Sequence, residues 1–293
     1  MGKALKNFLI TIICIIALIG VVVIGGYIYV RSRYNIDLFR TVGQLKTLTQ
    51  TVDESKLCPY AFESEDFNKL KTVLNAQLVE GFVKYEEGAG YEGYSINYST
   101  LSSVTIPHTT MIILSEKQTG ALAEIVFHEQ TGGKINVGEK QLETNIVQIN
   151  FSNINEDGSA DFNIVLKIDL TLLKNDIKDF PYNLFKKYIP NNLYISSTVR
   201  INKTDNLMGY TTTHKEFKIN NLSADDTDDL FHTLDAIIKI GSAESLNSTI
   251  STAVINALIG NDTHLGYAYS LKSIGKTQFG FVTLDNIDYF SVL

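Results

Sequence analysis

Residues 160–171 read ADFNIVLKIDLT, and their pattern decides the fold class. Phe162, Ile164, Leu166, Ile168 and Leu170 alternate with Asn163, Lys167, Asp169 and Thr171. A period of two puts one row of side chains on each face of a strand. One row is apolar and the other, apart from Val165, polar, so this strand is expected in an antiparallel sheet with one face on a core. Just upstream stands Asp157-Gly158, a hairpin turn signal, and the run 146–151 is expected to pair back across it. Downstream, Leu193, Ile195, Val199 and Ile201 alternate again, turn near residues 203–206, and return through 210–219.

Helical spacing flanks these hairpins on both sides. Phe67, Leu70, Val73, Leu74 and Leu78 recur at helical intervals, with Ser64 expected as N-cap and Glu65 and Asp66 at the positive helix end. Ser115 and Gln118 form a capping box behind Leu114, opening a helix whose buried face is Ala121, Leu122, Ile125 and Val126. Two more helices are expected over 225–240 and 244–259, the second stopped by Gly260 in the C′ position. Residues 94–104 look strand-like, and short strands are expected over 267–271, 278–284 and 287–292. Antiparallel hairpins interleaved with helices give one α+β domain over residues 61–293, not a doubly wound sheet.

Ahead of that domain, residues 8–30 read FLITIICIIALIGVVVIGGYIYV without one charge. About 20 such residues span a bilayer as a helix, so a single transmembrane anchor is expected there. Tyr27 and Tyr29 fall where an interfacial aromatic belt would lie, just before Arg31 and Arg33. The run exceeds a signal-peptide core and lacks a small-x-small cleavage site. Ile13 before Cys14 disfavours lipidation, and Lys6 replaces the Ser/Thr of a myristoylation signal. The expected layout is a cytoplasmic tail (1–7), the anchor (8–30), a juxtamembrane stalk (31–60) and an extracytoplasmic domain (61–293), in a cell membrane. Positive charges flank the anchor almost equally, so the orientation rests on how short tails followed by long domains insert. In the stalk, Leu38, Val42, Leu45, Thr49 and Val52 fall at 4,3,4,3 spacing. Two heptads fall short of a coiled coil and support at most weak self-association through 38–52.

Composition narrows the partners. A net charge of −7 without a Lys/Arg cluster disfavours nucleic acid. Cys14 and Cys58 allow no disulfide framework within the domain. The Asn, Ile, Lys, Thr and Tyr bias, with no Trp, is that of an AT-rich genome.

Several motifs fail on their context. Gly88-Ala89-Gly90-Tyr91-Glu92-Gly93 spells GxGxxG, but Glu86 and Glu87 precede it and no helix follows to hold a pyrophosphate. Tyr85, Tyr91, Tyr94 and Tyr98 in the same stretch are the candidate contacts for a sugar or protein partner. Residues 153–158 open like an EF-hand loop, but position twelve is Ile164, so a hairpin turn is expected. Asp225, Asp226, Asp228 and Asp229 behind Ser223 suit a helix start better than a cation site. His128-Glu129 lacks the second histidine of a zinc motif, which is Gly132 here. Neither Cys58 nor any GxSxG elbow marks a nucleophile. No catalytic, cofactor or metal residue is therefore assigned.

A resemblance of organisation remains. An anchor is followed by the capped helix Leu114-Ser115-Glu116-Lys117-Gln118-Thr119-Gly120-Ala121-Leu122, the hairpin around Asp157-Gly158, and a hairpin ending Phe217-Lys218-Ile219-Asn220-Asn221-Leu222 that runs into the helix from Asp225. Over roughly residues 110–260 this resembles uncharacterised membrane-anchored envelope proteins of low-GC Gram-positive bacteria, the YpmS-like group. The resemblance implies an extracytoplasmic, non-enzymatic domain. The expected function is thus a tethered module that binds an apolar or lipid ligand, or an envelope partner, in a sheet-and-helix cleft. The alternatives are an envelope hydrolase acting on glycan with carboxylates about 5–10 Å apart, and a structural subunit of an envelope assembly.

Overall fold

The computed structural model describes residues 38–137, 140–176, 189–204, 208–238 and 242–293. The expected tail and anchor lie outside them, and among the described residues no helix is long and apolar enough to cross a membrane. In chain order come α1 (Leu38–Leu48), α2 (Ser64–Gln77), the short strands β1 (Val83–Tyr85) and β2 (Tyr94–Ile96), β3 (Ile112–Ser115) and α3 (Glu116–Thr131). Then follow β4 (Lys134–Val137), β5 (Lys140–Ser152), β6 (Ala160–Asp169), β7 (Asn192–Lys203) and β8 (Tyr210–Ile219). The chain continues through α4 (Ala224–Ile238), α5 (Ala243–Leu258), β9 (Phe279–Leu284) and β10 (Ile287–Val292). Strands β4 to β8 form one sheet in sequence order, β3-β10-β9 a second, and β1-β2 a hairpin. All pairings are antiparallel. The class is α+β, as the alternation in β6 indicates.

That alternation sets the inside of the sheet. Phe162, Ile164, Leu166 and Ile168 are buried in the main core, and Phe162 faces Phe151 on β5 and Val199 on β7. Helix α3 fills the space above them, with every residue from Thr119 to Phe127 buried. Its capping box forms as its sequence requires: Gln118 Oε1 accepts the Ser115 N–H at 2.9 Å. Helix α5 lies beside it against β7 and β8, and Gly260 ends α5 with a left-handed φ of 78°.

Each long hairpin carries a bulge, and each bulge meets a polar side chain from a helix. In β5 the extra residue is Val147. Leu142 and Ile146 point inward before it, Ile149 and Phe151 after it, so the inward row changes parity there. The same change turns the Ile146 and Phe151 N–H groups to one edge, beyond the reach of β4, which pairs only with residues 140–143. Two carboxylates of α3 accept them: Glu124 Oε2 from Ile146 and Glu116 Oε1 from Phe151, both at 2.6 Å. A third, Glu129 Oε1, accepts from Ile96 of β2 at 2.8 Å. At the second bulge, between Thr198 and Val199 opposite β8, Asn247 of α5 donates to the carbonyls of Thr198 (3.1 Å) and Glu216 (3.2 Å) and accepts from the Ser197 hydroxyl.

The part of the expected stalk that is described lies against the domain. Arg40 of α1 bridges Asp226 (3.3 Å) and Asp229 (3.2 Å) of α4. Leu45 and Leu48 enter the main core, and the Leu48 carbonyl accepts from Asn220 at 2.8 Å. Further on, Cys58, Val52, Leu57 and Ala61 cover Val147, Val165 and Tyr194 on the other face of the sheet. Of the heptad positions, Leu45 is therefore occupied inside its own domain, whereas Val42 is exposed.

Three local expectations are corrected. The N-cap of α2 is Glu63, not Ser64: Glu63 is extended and Asp66 accepts its N–H at 2.9 Å. Residues 94–104 hold a strand only over Tyr94–Ile96, followed by a 3-10 turn, Tyr98–Ser103. Residues 267–271 are helical, Tyr267–Ser270 running into the turn Leu271–Ile274. Tyr267, Ala268 and Leu271 are buried together there, a helical spacing that outweighs the alternation of Tyr267, Tyr269 and Leu271.

Candidate functional site

Three of the four candidate tyrosines gather at the β1–β2 hairpin, where Tyr85 packs on Tyr94 with ring centroids 5.0 Å apart, while Tyr98 lies against Phe82 instead. Tyr91 and Tyr94 lie against Phe67, with ring centroids at 5.4 and 5.6 Å. Tyr98 meets Phe82 edge-on at 6.1 Å. Burial pushes the Tyr91 phenol up to about 12 and that of Tyr98 upward as well. Tyr85 is exposed. The glycines of GxGxxG serve the turn: Gly88, Gly90 and Gly93 all have positive φ, and a Cβ on Gly90 would collide with the Tyr94 carbonyl.

The other sequence candidates are placed as follows. Residues 153–158 form the β5–β6 turn, with the Gly158 N–H donating to Asn155 O at 2.9 Å. The acidic start of α4 is a cap: Ser223 Oγ accepts the Asp226 N–H at 3.1 Å. Ser223, then Gln44 and Arg40, hold the Asp226 carboxyl below its ordinary range. Cys58 is buried, which pushes its thiol up to about 11 and leaves little thiolate for chemistry. Among the described residues no three His, Cys, Asp or Glu side chains gather as metal ligands would.

Among the clefts lined by described residues, two hold groups of chemical interest. The first, about 300 Å³, lies between residues 49–54 and 189–194, and its lining includes Glu54, Asn191 and Tyr194. Glu54 is already engaged by the Tyr194 hydroxyl and by Lys167 at 3.0 Å, and these two lower its pKa.

The second cleft, about 370 Å³, lies where α5 ends, between the start of β8 and the loop 261–264. Its floor is Asn256, whose Oδ1 accepts from the Tyr210 hydroxyl at 2.6 Å and from Asn261 Nδ2 at 3.3 Å. Asn261 Oδ1 in turn accepts the Thr263 N–H (2.9 Å), the Thr263 hydroxyl (2.7 Å) and the His264 N–H (3.0 Å). On the far wall the Tyr269 hydroxyl bonds Asp262 Oδ1, and the Lys272 ammonium stands 4.3 Å over the Tyr269 ring. The loop is closed at its base by Gly260 and Gly266. A Cβ on Gly266 would collide with the Gly260 backbone and the Asn256 carbonyl, so glycine alone allows that approach. Burial raises the Tyr210 phenol to about 12, keeping it a neutral donor to Asn256.

None of these cleft residues was singled out by the sequence reading. Tyr210 and Asn256 stand 46 positions apart, and only the two glycines bracketing Asn261-Asp262-Thr263-His264 hint locally at a pinched loop. No protein-family model, no curated protein and no solved structure matches the chain.

Proposed function

We propose that the chain is a non-catalytic binding module, anchored in a cell membrane by residues 8–30, whose extracytoplasmic domain engages a polar envelope partner through the cleft at the end of α5. The observation that carries this reading is the cleft itself. Its polar groups are fixed by one another and by a loop pinched between two glycines, which lowers the ordering cost of binding.

Of the ligand classes expected from the sequence, this cleft favours the polar one. The space between sheet and helices holds Leu122, Ile125, Ile250 and Ile255, all buried, so an acyl chain would have to displace core side chains. The hydrolase alternative needs two facing carboxylates. The described lining of each cleft supplies a single one, Asp262 or Glu54, and both are bonded within the protein.

The test takes the full chain in detergent. Native mass spectrometry with organic extraction should find no lipid held one per chain. Co-sedimentation with delipidated cell envelopes should occur and should drop with Tyr269→Ala. A stoichiometric lipid retained by that variant would sink the proposal and favour a lipid carrier.

A further inference from the structure

We infer that the cleft at the end of α5 holds a neutral pyranose unit of a glycan; the inference rests on the binding reading above and names its ligand class. The charges of the described lining balance: it holds one ammonium, Lys272, and one carboxylate, Asp262, both beside Tyr269. A phosphate or polyanion would meet a single cation next to a carboxylate, and a metal ion would meet a single carboxylate. A ligand without net charge loses nothing on either side.

The unused hydrogen-bonding capacity points the same way. Asn256 spends its oxygen on Tyr210 and Asn261, and its amide N–H₂ donates to no described group. The Thr252 hydroxyl and the Lys272 ammonium, also in the lining, likewise bond no described oxygen. Asp262 uses Oδ1 for Tyr269 and keeps Oδ2 as an acceptor. Three donors and a carboxylate oxygen thus face one small space. Sugar hydroxyls both donate and accept, so adjacent hydroxyls of one ring can use both kinds of partner. Tyr210 and Tyr269 also stand in the lining and bring aromatic surface against which the C–H groups of a pyranose can rest. A volume of about 370 Å³ sits at the small end of ligand sites, suited to one or two sugar rings and too short for a peptide helix.

The experiment is saturation-transfer-difference NMR on the full chain in detergent, with chitotetraose and maltotetraose as probes and inorganic phosphate as the charge control. Vesicles carrying a diglucosyl lipid distinguish a glycolipid headgroup from a free polysaccharide. The expected result is transfer to ring C–H protons of at least one saccharide, competed by neither phosphate nor salt. Tyr269→Ala and the isosteric Thr252→Val should weaken binding about tenfold and a few-fold respectively, with Tyr60→Ala, exposed and outside the cleft, unchanged. Thr252→Val removes only a hydroxyl, so a folding defect in Tyr269→Ala leaves the test intact. Absence of transfer from both saccharides and from the glycolipid at about 10 mM sugar, or binding indifferent to Thr252→Val and Tyr269→Ala, overturns the inference. Envelope co-sedimentation that needs Tyr269 but survives without saccharide binding overturns the glycan assignment alone and leaves the binding reading standing.

Discussion

Lys276 brings a charge into the interior without an acidic partner among the described residues. Its side chain is fully buried, and its ammonium donates to the carbonyls of Pro107 (3.0 Å), His108 (3.0 Å) and Thr110 (2.6 Å). Three charge-assisted bonds replace its hydration and tie the loop before β3 to the segment entering β9. Lys276→Met strands those carbonyls, and a loss of about 2–4 kcal/mol in urea unfolding is expected. Glu124 presents a different balance. One oxygen takes the Ile146 N–H and the other finds no partner, and burial pushes the carboxyl up to about 8. A folded pKa above the unfolded value of 4.5 means that the native state holds this proton more tightly. The stability linked to it is fully present below pH 4.5 and is lost as pH rises towards about 8. Glu116 and Glu129 are shifted upward by burial too, adding to the same slope. Glu124→Gln keeps an oxygen for Ile146 and cannot ionise. Its melting temperature should therefore gain on the wild type steadily from pH 5 to pH 8, and parallel curves would refute that account.

At the scale of elements, the sheet works because each irregularity has a polar partner waiting on a helix. Asn247 is fully buried and also lies 2.5 Å from His214 Nδ1. Asn247→Leu leaves the Ser197 hydroxyl and the two bulge carbonyls without it, and about 2–4 kcal/mol should be lost. Asn247→Asp should lose stability as well, because a carboxylate cannot donate to carbonyls; denaturant midpoints of both variants decide it. The regular parts of these elements were readable in advance. Phe162 to Leu170 gave a strand, Ser115 and Gln118 a helix start, and Gly260 a helix stop, because each signal is complete within a few residues. The bulge in β5 was not readable, since its extra residue, Val147, is apolar and the run 146–151 looks uninterrupted. Tyr267 to Leu271 misled for a related reason: five residues satisfy both periods, and burial against neighbouring elements chose between them. The cleft was illegible because its floor pairs Tyr210 with Asn256 through tertiary packing alone.

Over the whole molecule, the helix Leu38–Leu48 that leads into the domain is part of the folded unit. Leu48 is fully buried and Asn220 bonds its carbonyl, whereas the Arg40 ion pairs with α4 are exposed. Leu48→Ala should cost about 2–5 kcal/mol, while Arg40→Ala should change stability little, and less still in high salt. A chain truncated to begin at residue 54 should therefore unfold at markedly lower denaturant than one beginning at residue 38, and equal midpoints would show α1 to be dispensable. The pinch between Gly260 and Gly266 has a consequence of another kind. It confines the strict requirements of the loop to its two ends and to Asn261, while Asp262, Thr263, His264 and Leu265 are exposed. The tip can therefore vary in sequence at little cost to the frame, whereas Tyr210, Asn256 and Tyr269, which line the cleft and also hold the fold together, cannot.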